Sequence, residues 1–542
     1  MRTTEPLIDL DDVQGNVYPG FNKDHQTFRF LEISDVPQAR LALAELIPHV
    51  ARSSAVRAYG EARSIIKAQN IGGPSGLTAT WMTIALGYTG CAKLFTPSLA
   101  DGLGEGAFKA GLAIRSPLLG DPLDAAARGH PSNWIIGATG SPPIDLIMTI
   151  AGDRREDVDA YASFIDQLLA AYAAPDGLPA LRPVRKDLKG DTLGGDLNGH
   201  EHFGFKDGIS QPGIRGRLAA SPETFITPRI IDSSSPLANR FGRPGQVLLW
   251  PGQLLLGQPR QNGQDPDIPL EPLPLAAEWL RNGSFMVLRL LEQDVPGFWA
   301  QMRSYANQVL SATDDLSTDW IASRVVGRWR SGAPVTRTPA VDNPNLVIDN
   351  RVSNDFGFRF DGVAIPLVAG ETPLPHLPLS RADPNGMLCP FAGHIRKVNP
   401  RDDAVEQGSP NDTLVRMIAR RGVPYGTRFA DPRHAVSDGS ERGLIFVSYQ
   451  ASIERQFEFL MQQWVNGDDA PHAGSGRDAV LGHHLPQGDM LTTSFDVFDK
   501  ADAGHTVAQT VDYITPRGGG YFFTPSISAL TTLATGNLNS EM

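Results

Sequence analysis

Four stretches of the chain run from a dense apolar segment into apolar residues at helical spacing. Residues 27–33 (TFRFLEI) read as a strand, and 36–53 follow with Leu41, Leu43, Leu46 and Ile47 at intervals that suit a helix. Residues 145–151 (DLIMTIA) lead into 154–173, where Tyr161, Phe164, Ile165 and Leu168 form the stripe. The same succession recurs at 284–291 (SFMVLRLL) with 295–310, and at 444–449 (LIFVSY) with 452–465. Each is a predicted strand–helix unit.

The first and third units share more than their pattern. TFRFLEISDVP at 27–37 and SFMVLRLLEQDVP at 284–296 both pass from a strand into Asp-Val-Pro. Asp35 and Asp294 are placed to cap the two helices, with Pro37 and Pro296 in the first turns. The second and fourth units also pair in pattern. A duplicated two-unit module follows, hence an α+β chain of two halves, 1–214 and 215–542, joined near 214–245. Between the third and fourth units, 311–443 is rich in loops, and an insertion around 311–390 holds most of its Pro, Gly, Asn and Asp. An irregular stretch that long is more often a functional or covering loop than a linker. The tail from 466 to 542 shows little periodicity.

Composition narrows the class. With 41% hydrophobic and 20% charged residues the chain is globular, and 55 glycines and 43 prolines without a fixed period point to long ordered loops. A net charge of −12 without a long basic run argues against nucleic-acid binding. Two cysteines, Cys91 and Cys389, make neither a disulfide framework nor a Cys-only zinc site. No signal-like apolar region stands at the start, and no run of 18 apolar residues occurs, so the expectation is a cytoplasmic protein outside the membrane.

HExxH, P-loop, GxSxG and CxxC motifs are all missing. Residues 102–107 fit G-x-G-x-x-A formally but follow no clear strand. His200-Glu201-His202 could hold a metal if the imidazoles alternated on a strand; a solvated loop is the simpler reading, because no third ligand is evident. Two segments carry more. In HFGFKDGISQPGI (202–214), Asp207 stands between Lys206 and Gly208, with Gly204 before it. Glycines there permit close approach to a flat ligand, and the acid could move protons; an Asp-Gly turn would explain the same residues. In CPFAGHIRKVNPRD (389–402), His394 sits among small and apolar residues ahead of Arg396, Lys397 and Arg401. Such a histidine can ligate iron, or it can be a core residue bonded to a backbone carbonyl. The cations suit carboxylate or phosphate groups, or a solvated surface.

GFKDG, AGHIRKVNPR, ARRGVPYG (419–426) and RGLIFVSYQASIERQFEF (442–459), in this order, resemble the dye-decolorizing peroxidase family, and in length the chain is similar to its larger, fungal-like branch. The resemblance implies duplicated ferredoxin-like modules with antiparallel sheets and peripheral helices, and haem b in the C-terminal half. It implies reduction of hydrogen peroxide and oxidation of bulky aromatic compounds or dyes through an oxyferryl intermediate, by a monomer or homodimer. Asp207, followed by Gly208, would be the distal acid–base residue and Arg420 the distal arginine, with Arg421 the alternative. His394 would be the axial ligand of the iron. Asn399 and Arg401 match the Asn-Pro-Arg run, with Arg401 toward a haem propionate. Glu458, or Glu454 one helical turn before it, would hydrogen-bond the axial imidazole. The competing function is a haem-binding protein for iron release or transfer, which would need neither Asp207 nor Arg420.

Overall fold

The computed structural model describes residues 8–536 except 69–75, 96–99, 216–246, 266–267, 276–277, 349–352, 355, 362–376, 404, 406–409, 484–492 and 510. Most of the 214–245 boundary and part of the 311–390 insertion therefore lie outside the described residues.

In the N-terminal half, β1 (His25–Ile33) is followed by α1 (Val36–Leu46) and α2 (Ser53–Ala68). Then come β2 (Thr80–Leu86), β3 (Leu146–Gly152), α3 (Arg155–Ala170) and an edge strand broken into β4 (Leu181–Pro183) and β5 (Leu188–Asp191). In the C-terminal half, β6 (Ser284–Gln293) leads into α4 (Val295–Leu310) and α5 (Asp315–Val326), and α6 (His394–Val398) follows the insertion. An edge strand broken into β7 (Ala419–Arg420) and β8 (Val423–Tyr425) precedes β9 (Gly443–Gln450), and β10 (Ile514–Thr524) precedes α7 (Ile527–Thr535). The caps form as the sequence indicates: Asp35 accepts from the Gln38 N–H at 2.9 Å and Asp294 from the Gly297 N–H at 3.0 Å.

Within each half the strands pair antiparallel in the ferredoxin-like order. The N-terminal half runs β2–β3–β1 with β4 and β5 sharing one edge of β1, and the C-terminal half runs β10–β6–β9 with β7 and β8 sharing one edge of β9. The halves are not separate bodies. β10 bridges to β2 at Phe523 and Leu86, which makes one ten-stranded sheet. At the far end Gly190 of β5 abuts β8; a Cβ there would lie 2.4 Å from Val423 Cγ1. The sheet thus curls until its two ends meet.

This curling explains why the strands read as continuous apolar runs. Alternate residues point into the barrel and out toward the helices, and both sides are dry. Phe28, Phe30, Met286, Leu288, Ile445, Val447 and Phe522 fill the interior, while Leu31, Ile33, Phe285, Val287, Tyr521 and Phe523 pack under the outer layer. A further core forms around α4 and α5, from Phe298, Trp299, Met302 and Trp320. No helix among the described residues is long and apolar enough to cross a membrane.

Candidate functional site

The residues singled out by motif converge on one cavity of about 300 Å³. Asp207, Gly208, His394, Asn399, Arg401 and Arg420 all line it. Leu291, Val326, Phe446, Phe457 and Leu460 give it apolar walls.

His394 opens α6. Its Nδ1 lies 2.8 Å from Asp478 Oδ2, and the Asp478 carboxylate is wholly buried. The other carboxylate oxygen accepts from the N–H groups of Val480 and Leu481, at 2.9 and 2.8 Å. Burial disfavours charge on His394, but the Asp478 carboxylate outweighs it and raises the imidazole above its ordinary range. With Nδ1 so held, Nε2 is the nitrogen left to address the cavity.

Neither Glu458 nor Glu454 performs this task, and that expectation is corrected. It assumed an ordinary helix over 452–465, with both acids on one face. The segment instead winds in wide π-type turns over Ile453–Glu458 and Leu460–Val465. Glu458 takes the Arg115 guanidinium, with Arg115 Nε at 3.0 Å, and the Tyr521 hydroxyl at 2.9 Å. Glu454 accepts the Ala107 N–H at 2.8 Å. Both acids tie the turns to the N-terminal half. Asp478 was missed because it lies 84 residues beyond His394, in the tail without periodicity. The usable signal was an Asp just before the apolar Ala479-Val480-Leu481, placed to bond the N–H groups that follow it.

On another part of the cavity wall, residues 200–206 fold into a tight turn closed by a bridge between His200 and Lys206. Asp207 follows it. Its Oδ1 accepts from the Gly208 N–H at 2.6 Å and from Arg420 NH1 at 3.3 Å. Arg420 NH2 also donates to the Ser210 carbonyl at 3.1 Å. Arg421 turns the opposite way, as strand alternation requires. It donates to the carbonyls of Asn16 and Val17 at 3.0 and 3.1 Å, and Gly20 packs directly on its guanidinium.

His200-Glu201-His202 is no metal site. His202 is buried, with Nε2 2.8 Å from the Tyr425 carbonyl, and His200 Nδ1 lies 3.1 Å from the Asn198 carbonyl. Among the described residues no group of three His, Cys, Asp or Glu could hold a metal. Glu201 lines the cavity and accepts the N–H groups of Phe203 and Phe205 at 2.8 and 2.9 Å. Residues 102–107 form no nucleotide loop; there the Ala107 N–H meets Glu454.

Arg328 and Arg401 form a cationic end. Arg401 NH2 donates to Asn354 Oδ1 at 2.6 Å and to Ser210 Oγ at 3.2 Å, and Arg328 NH2 reaches the same hydroxyl at 3.1 Å. Burial and the neighbouring Arg401 and Arg420 hold Arg328 well below the usual arginine range, so an anion here would be welcome. The Asn399 side-chain oxygen is buried without a protein hydrogen bond. Apolar walls, two adjacent cations and an anchored imidazole fit a flat, dianionic, iron-bearing macrocycle.

A family model described as "DyP dimeric alpha+beta barrel domain" matches residues 12–174. Dye-decolorizing peroxidase msp1 of Mycetinis scorodonius is 30% identical over 536 residues, covering 97% of this chain and 88% of its own. Multifunctional dye peroxidase DyP2 of an Amycolatopsis species is 27% identical, covering 98% and 97%. A solved mutant of the dye-decolorizing peroxidase from Pleurotus ostreatus superposes with a TM-score of 0.73 at 27% identity, covering 97% of this chain and 99% of that one. A solved dye-decolorizing peroxidase in complex with 2,6-dimethoxyphenol gives 0.70 at 27%, covering 97% and 100%. With a barrel of two ferredoxin-like modules and near-complete likeness to these enzymes, the chain belongs to the dye-decolorizing peroxidase family, oxidoreductases that act with hydrogen peroxide.

Proposed function

We propose that the protein uses haem b to reduce hydrogen peroxide and to oxidise bulky aromatic compounds or dyes. The observation that carries this reading is one apolar cavity bearing both an imidazole anchored by a buried carboxylate and a paired carboxylate and guanidinium. Haem b, when bound, would supply the redox-active iron at which the peroxide O–O bond is broken. His394 Nε2 would ligate it, and Arg401 and Arg328 would face its propionates.

Asp478 keeps the proton of His394 on Nδ1 and makes the imidazole a stronger electron donor. Asp207 has Oδ1 engaged by Gly208 and Arg420, so Oδ2 is the atom that takes a proton from one peroxide oxygen and returns it to the other. Arg420 is held by Ser210 and Asp207, so its positive charge is already in place when negative charge develops on the departing oxygen. The reductant is an aromatic electron donor, the class to which 2,6-dimethoxyphenol belongs.

The test is stopped-flow absorbance of the haem-loaded protein after one equivalent of peroxide. Asp207→Asn and Arg420→Leu should keep the Soret band and slow its first change by about 100-fold or more. Unchanged rates in both variants would remove these roles and return Asp207 to a turn residue. His394→Ala should lose axial ligation.

A further inference from the structure

Lys397 lies three residues beyond His394 on α6 and is fully buried. Its ammonium donates to Ser475 Oγ at 2.7 Å, to the carbonyls of Gly467 at 2.9 Å and Gly476 at 2.5 Å, and to the carbonyl of Ala470. These four oxygens belong to one loop, 466–476 (NGDDAPHAGSG), which offers few apolar side chains for packing. Two residues beyond the loop, the Asp478 N–H donates to the Val465 carbonyl at 2.9 Å and so closes it; the next N–H, of Ala479, reaches the Ala392 carbonyl.

We propose that Lys397 is a positioning residue that acts as an internal cation: it gathers the 466–476 loop around one charge and thereby sets Asp478 against His394. A buried ammonium must be met by oxygens, and oxygens gathered without a cation repel one another. The loop keeps this shape only while a cation fills it. Because the ammonium and the imidazole share one short helix, the clasp fixes the loop to the same element it serves.

The inference rests on His394 being the iron ligand, and its test separates the two. The readout is the iron–histidine stretching band of the ferrous haem protein by resonance Raman spectroscopy. This band reports how strongly the imidazole Nδ1 proton is pulled by its acceptor. In Lys397→Met the band should fall toward the frequency of Asp478→Asn, and haem affinity should drop about tenfold. In Lys397→Ala, which lacks three methylenes and the ammonium, added n-propylammonium should move the band back. Lys397→Met should add no shift in an Asp478→Asn background. A native band in Lys397→Met, or an equal shift in that background, would overturn the proposal. Should Lys397→Met fail to fold, Ser475→Ala removes a single oxygen and decides by a smaller shift or none. A band that survives His394→Ala would instead sink the ligand assignment.

Discussion

Glu201 holds its half-buried carboxyl in the cavity wall, and burial pushes its pKa up to about 7 despite the Gln293 amide and the two N–H groups it accepts. A raised folded-state pKa favours the fold while the group is protonated. That contribution is complete below the ordinary value of 4.5 and is lost as the pH rises through about 7. It amounts to at most about 3 kcal/mol. Glu201→Gln cannot ionise, so its unfolding free energy, measured in urea from pH 4.5 to 8, should fall less than that of the native protein by up to this amount. Equal pH slopes would show that Glu201 ionises normally. The residues legible in advance were those whose meaning is local. Asp207, His394 and Arg420 stand in short runs that constrain their own backbone. Asp478 acts through a partner far away in sequence, so nothing beside it announces its target.

At the scale of elements, capping and apolar runs were readable because each depends on neighbours within one turn or one strand. Two elements hid for opposite reasons. The π-type turns after β9 have the composition of an ordinary helix, and only tertiary anchoring by Glu454 and Glu458 shows the wider winding. β10 carries Gly518-Gly519-Gly520, a poor strand sequence by propensity. Its glycines serve contact instead. At Gly519, with φ of 154°, a Cβ would stand 2.1 Å from the Leu288 carbonyl oxygen of the neighbouring strand. Gly519→Ala should therefore lower stability by about 3 kcal/mol or more, through clash and backbone strain together. Gly140 also has a positive φ, but open space around it, so Gly140→Ala should cost only about 1 kcal/mol. Thermal unfolding of the two variants side by side distinguishes contact from backbone strain.

For the whole molecule, duplication could be read from repeated strand–helix units, but the joining of the halves could not. It depends on the Phe523–Leu86 bridge, on the approach of Gly190 to Val423 and on links such as Arg115 to Glu458, all between residues hundreds of positions apart. Each half supplies the edge the other lacks. A fragment of residues 12–214 expressed alone should then expose the edges of β2 and β5 and self-associate, and co-expression with 247–542 should recover a monodisperse complex. Size-exclusion chromatography with light scattering would show this; a stable monomeric fragment would mean that the halves fold independently.

The distance along the chain between β2 and β10 also has a temporal meaning. A ribosome makes β2 hundreds of residues before its barrel partner β10, so the nascent N-terminal half must wait through that interval with an open flank. Slow translation or crowded polysomes would prolong that wait. Until Phe523 arrives, the free edge of β2 is a template on which a neighbouring chain could pair.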